Sequence, residues 1–159
     1  MELPQDWREF LSLLAEHRVK FLLIGGHAMA AHGFPRFTGD LDVWLEAAPA
    51  NAERVMRALV AFGFGDVRGL SDADFTSPGT VVALGNPPMR IDLLTTISGV
   101  EFKAAWTRRR RATVAGVQLW MISAEDLLAN KRAAGRPKDL LDVETLLQVV
   151  KRSRTKKRS

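Results

Sequence analysis

Apolar positions recur along this chain with two different periods. Trp7, Phe10, Leu11 and Leu14 fall at helical spacing behind Asp6, with Glu9 three residues after that acid. This predicts a capped helix ending near His17. Residues 20–26 (KFLLIGG) are an unbroken apolar run closed by two glycines, the mark of a buried strand. The alanine-rich stretch 27–34 predicts a short helix stopping at Gly33, and Pro35 to Gly39 a loop. Residues 40–46 (DLDVWLE) alternate and predict a strand. A helix is expected over 49–64 on Val55, Met56, Leu59, Val60 and Phe62, and an irregular loop over 65–78.

Two further strands, 80–85 and 89–96, flank a Gly-Asn-Pro-Pro turn, and 101–109 predicts a short helix. Residues 112–122 read either as two strands broken at Gly116 or as one kinked strand. Ser123-Ala124-Glu125-Asp126 has the form of a capping box, opening a helix to Ala134. Pro137 opens a last helix, 137–150, with Leu140, Leu141, Val143, Leu146, Leu147 and Val150 apolar. The sum is an α+β or α/β fold: a small mixed sheet flanked by helices, with a C-terminal helical pair.

Composition narrows this picture. The 159 residues, 47% of them hydrophobic, suit one domain over 1–150, followed by a basic, disordered tail at 151–159. Cysteine is absent, which excludes disulfides and thiolate metal sites. No apolar run approaches the roughly 18–20 residues of a membrane span, and the first residues lack a secretory layout. A cytoplasmic protein with no membrane partner is expected. The net charge of +5 is uneven: residues 151–159 hold six of the 23 Lys and Arg, which leaves 17 basic against 18 acidic residues elsewhere. Such a run suits a polyanion or a solvated terminus. The cluster Arg108 to Arg111 reads equally as a helix end or as a face turned to nucleotide or nucleic acid.

The candidate chemistry starts from two acids. Asp40 and Asp42, two apart on a strand, put both carboxylates on one face with Cα atoms roughly 6.5–7 Å apart. Like charges so placed repel unless a cation sits between them, and Mg²⁺ prefers oxygen ligands of this kind. Asp92 is the only acid in its apolar strand. If that strand lies beside 40–46, three carboxylates converge, enough to hold two cations roughly 3.5–4 Å apart for displacement at phosphorus. Gly25 and Gly26, between strand and helix, let backbone N–H groups approach an anion, although the same pair makes an ordinary turn. Arg36 and Thr38 lie between glycines and carboxylates. His27 and His32, five apart, are poorly spaced to share a metal and read as packed helix residues.

The strand, Gly-Gly, short helix, Arg36-x-Thr38-x-Asp40-x-Asp42 and later Asp92 resemble the DNA polymerase β-like nucleotidyltransferase superfamily. The likeness is nearest to small bacterial AbiEii-type and toxin–antitoxin nucleotidyltransferases, and covers residues 18–150. Many members carry Gly-Ser where this chain has Gly25-Gly26. On that resemblance Lys131 matches a basic motif residue, and Asp139, or Asp142 in its place, a later acidic one. The resemblance implies a nucleotidyltransferase fold and a metal-dependent transfer of NMP from an NTP to a hydroxyl. Asp40, Asp42 and Asp92 would be catalytic and hold Mg²⁺ or Mn²⁺. Gly25, Gly26, Arg36, Thr38 and Lys131 would bind the nucleotide. The acceptor would be tRNA or another RNA, a protein such as a cognate toxin or antitoxin, or a small molecule. The alternative is an inactive module of the same fold that binds nucleic acid or a protein partner.

Overall fold

The computed structural model describes residues 5–34, 39–63, 69–88 and 90–158. Arg36 and Thr38 lie outside the described residues. The chain runs α1 (Gln5–Glu16), β1 (Phe21–Ile24), α2 (Gly25–Ala31), β2 (Leu41–Leu45), α3 (Pro49–Ala61), β3 (Val81–Leu84), β4 (Ile91–Leu94), α4 (Phe102–Thr107), β5 (Arg110–Val114), β6 (Val117–Met121), α5 (Ala124–Ala134) and α6 (Pro137–Arg158). A 3-10 turn at Asp72–Phe75, capped by Ser71, interrupts the expected loop and buries Phe75. No helix among the described residues is long and apolar enough to cross a membrane.

Six strands form one mixed sheet in the order β3-β4-β2-β1-β6-β5. β1 lies at its middle, and all four of its residues are buried, as an unbroken apolar run requires. It pairs antiparallel with β2 (Ile24 opposite Asp42) and parallel with β6. β2 pairs parallel with β4, which sets Asp42 opposite Asp92.

Local chemistry fixes the connections. The stripe of α1 buries Phe10, Leu11 and Leu14 completely. Its end is a Schellman turn: Val19 N–H donates to the Leu14 carbonyl (2.9 Å) and Arg18 N–H to that of Ala15 (3.0 Å), with Arg18 in the left-handed region at φ 57°. Buried Asn51 clamps the start of β1 to the end of β2. Its Oδ1 accepts from Lys20 N–H (2.7 Å), and its Nδ2 donates to the Lys20 and Glu46 carbonyls (2.9 Å each). Ala115 and Gly116, both at positive φ, make the tight turn that resolves 110–121 into a hairpin.

Ser123 caps α5 by accepting from Asp126 N–H, and the Asp126 carboxylate is held by the Arg108 guanidinium at 2.8 Å. One of the four clustered arginines is thereby a structural partner of this cap. α6 departs from expectation twice. Its helix runs from Pro137 to Arg158, past the end expected at Val150. It also turns Leu140 and Leu141 outward (55% and 71% exposed) and buries Asp139 and Asp142. The cause is Lys131 of α5, itself buried, whose ammonium lies 3.3 Å from Asp139 and 3.1 Å from Asp142. A buried cation without carboxylates would cost more than two exposed leucines do.

Candidate active site

Strand pairing assembles the site. Side chains alternate along a strand, so Asp42 and Trp44 of β2 share one face with Asp92 and Leu94 of β4. Asp40 lies just before β2. The three acids line a cleft of about 740 Å³ with Gly25 and Gly26 on one side and residues of α5, α6 and the loop after β4 on the other. The sequence-predicted group Gly25, Gly26, Asp40, Asp42, Asp92 and Lys131 is thus brought to one cleft.

Gly25 is held to its identity by the acid. At φ +70°, any Cβ there would collide with the Asp42 carboxylate, whose Cγ would lie 3.2 Å away. The glycine that lets backbone approach an anion is therefore also the residue that makes room for Asp42. Burial first, then the charges of Asp92 and Asp40, push the Asp42 carboxyl up to about 6; Lys138 and Lys131 oppose this. The site is short of positive charge at its centre.

Arg90 supplies part of it, a residue the sequence reading passed over. Its Nε donates to Asp92 Oδ1 at 2.8 Å and lies 3.9 Å from Asp40 Oδ2, which raises the guanidinium's own pKa. Arg90 stands two residues before Asp92, and that same-face spacing is the signal that could have revealed it. Among the described residues no three His, Asp or Glu side chains are gathered around one point ready for a metal. The donor chemistry nevertheless fits a divalent cation. Three carboxylates from neighbouring segments line one cleft, and the charges of Asp92 and Asp40 add to burial in raising the Asp42 carboxyl.

Lys131 lines the cleft but is not free for a ligand. Its ammonium is shared by Asp139 and Asp142, so both candidate acids take part. Arg136 adds a second grip on Asp139, at 2.6 Å. Burial raises the Asp139 carboxyl, but Arg136 and Lys131 more than offset this, and its pKa is lowered. Lys138, also missed in the sequence, lines the cleft and has no carboxylate partner among the described residues. Both histidines are packed. His27 stacks edge-on with Trp7 at 5.3 Å and hydrogen-bonds the Gly39 backbone, and His32 Nε2 bonds the Ile122 carbonyl at 2.8 Å. Burial lowers the pKa of both rings.

A family model described as "Nucleotidyl transferase of unknown function (DUF2204)" matches residues 4–158. Among solved structures, the lincosamide antibiotic adenylyltransferase LnuA with lincomycin bound is similar over 93% of this chain and 98% of that one, with a TM-score of 0.59 and 15% identity. A Thermotoga maritima protein described as a candidate nucleotidyltransferase gives 0.57 and 15% over 92% of this chain and 91% of its own. At such identity the likeness is one of fold: the mixed sheet with flanking helices is the nucleotidyltransferase fold. No curated protein matches the chain significantly.

Proposed function

The chain belongs to the DUF2204 family of nucleotidyl transferases, and we propose that it moves an NMP from an NTP onto an acceptor hydroxyl with the help of a divalent cation. The observation that carries this is the pairing of Asp42 with Asp92 on neighbouring strands, with the Asp42 carboxyl raised to about 6 in the same cleft. Asp40, Asp42 and Asp92 would hold Mg²⁺ or Mn²⁺, which supplies charge to offset that developing on the phosphates. Gly25 and Gly26 offer backbone N–H groups to the triphosphate, and Lys138 adds an unpaired cation beside it. Lys131 acts at one remove: it holds Asp139 and Asp142, fixing α6 against α5 at the cleft wall.

In the reaction the acceptor oxygen bonds to the α-phosphorus, the bond to the β-phosphate oxygen breaks, and pyrophosphate leaves. The acceptor proton would pass to a carboxylate, a role we assign to Asp92, which lines the cleft. Catalysis on this layout is positioning and electrostatics, as in other phosphoryl transfers. The AbiEii-type likeness supports a cytoplasmic toxin–antitoxin role, in which the acceptor is an RNA or the cognate protein. A second reading, an inactive binding module, is favoured by one observation: Arg90 already occupies Asp92.

The test is to incubate the protein with each labelled NTP, Mg²⁺ and cell lysate, and to follow Mg²⁺-induced thermal stabilisation in parallel. Wild type should transfer label. Asp42→Ala should lose label and Mg²⁺ response together, and Arg90→Gln should show the larger Mg²⁺ response. Label that persists in Asp42→Ala removes the metal assignment. Absence of label with every nucleotide, together with a flat Mg²⁺ response, supports the binding module.

A further inference from the structure

The opposite end of β1 carries a second feature that the reaction above does not use. Trp44, two residues along β2 from Asp42 on the same face, packs edge-on against Phe102 of α4 (5.1 Å). Phe102 stacks on Trp106 (5.8 Å, 18° between planes). The Arg109 guanidinium then lies 4.2 Å from the Trp106 ring and 4.4 Å from that of Trp120, and Arg111 lies 4.7 Å from Trp120. Lys20 sits 5.0 Å from the Trp106 ring. This alternation of rings and cations borders a groove of about 410 Å³ whose lining includes Arg18, Lys20, Arg111, Gln118, Trp106 and Trp120, and no acid.

Three observations set this groove apart from an ordinary solvated face. First, among the described residues Arg18, Arg109 and Arg111 have no carboxylate partner, although Arg108 beside them is fully paired with Asp126. Arg109 Nε is buried without a hydrogen-bond partner. Second, stacking on indole rings holds the Arg109 and Arg111 guanidiniums in fixed planes, which cuts the entropy lost when they bind phosphate. Third, Arg18 fills the left-handed position of the Schellman turn, where glycine or asparagine is favoured, and its side chain lines the groove. Strain is accepted to place a cation there.

Cations on fixed planes with aromatic rings between them match a chain of alternating phosphates and bases. We propose that this groove binds single-stranded RNA and is the docking surface for the acceptor of the reaction above; the assignment of acceptor rests on that reading, the binding does not. α6 passes this edge of the sheet, since Val149 and Val150 line a hollow with Arg110, Arg111 and Glu125 before the basic stretch of sequence begins at Lys151.

The test uses the full chain and a fluorescent single-stranded RNA of mixed sequence, read by anisotropy across a salt series and by quenching of intrinsic tryptophan fluorescence. Wild type should bind with quenching and a log–log salt slope steeper than about −2, the value that three groove contacts alone would give on a single strand. Arg111→Ala should weaken binding about tenfold. Arg18→Gly should also weaken it, while holding or raising the melting temperature because the strained position is relieved. Asp92→Asn should bind RNA as wild type does, so loss of transfer chemistry and loss of docking are separable. Wild-type affinity in both Arg111→Ala and Arg18→Gly would overturn the proposal. So would equal or tighter binding of single-stranded DNA of the same sequence, or of polyglutamate at equal charge.

Discussion

At the scale of single residues, Asp42 is the point where stability and chemistry oppose each other. Its carboxyl ionises near 3.8 in an unfolded chain and at about 6 in the fold, because burial and two neighbouring acids penalise the charge. A raised folded pKa means the bound proton stabilises the fold fully below pH 3.8, and that contribution is lost as pH rises through about 6. At pH 8 the ionised form costs about 2 to 3 kcal/mol. Asp42→Asn, which keeps shape and removes charge, should therefore melt roughly 5–10 °C above wild type at pH 8 in EDTA, and at nearly the same temperature at pH 4. The same variant should be inactive. An equal gap at both pH values would mean that packing, not charge, sets the difference.

At the scale of elements, the local patterns carried most of the fold. An unbroken apolar run is β1, an alternating one is β2, and Ser123 with Gly135 mark the ends of α5. What no local pattern contains is order. Asp92 matters only because β4 lies parallel beside β2, and that follows from packing between segments about fifty residues apart. Arg90 was missed for the related reason that a basic residue at a strand end reads as a solvent-facing one until its partner Asp92 is seen beside it. On α6 the apolar pattern misled: Leu140 and Leu141 read as core, but burial of Lys131 in α5 rotates Asp139 and Asp142 inward. Lys131 read as a nucleotide-binding residue; in the fold it lines the cleft, and its ammonium also ties the last two helices together. Replacing it by methionine keeps the volume but removes the ammonium that two buried carboxylates share. The expected loss is about 3–5 kcal/mol at pH 7 by chemical denaturation. It should shrink in acid, where protonation removes the repulsion. Lys131→Met with wild-type stability at pH 7 would show that the pair contributes nothing net.

At the scale of the whole molecule, β1 separates two surfaces of opposite charge logic. Its Ile24 end meets an acidic cleft, and its Phe21 end meets a cationic, aromatic groove. Among the described side chains of α6 the core ends at Val150, buried with Leu146. Removing 152–159 takes five of the 23 basic residues and leaves 18 against 18 acids, a chain neutral at pH 7. The melting temperature should stay within about 2 °C, since chain termini contribute little. RNA affinity should fall and its salt slope become shallower, because fewer counterions are released. Tryptophan quenching at saturating RNA should persist, because the rings that report stacking lie in the groove and not on the helix end. A truncated chain that binds with unchanged salt dependence would place all of the phosphate contacts at the arginines of the groove. One that loses the quenching as well would mean that α6, not the groove, seats the strand.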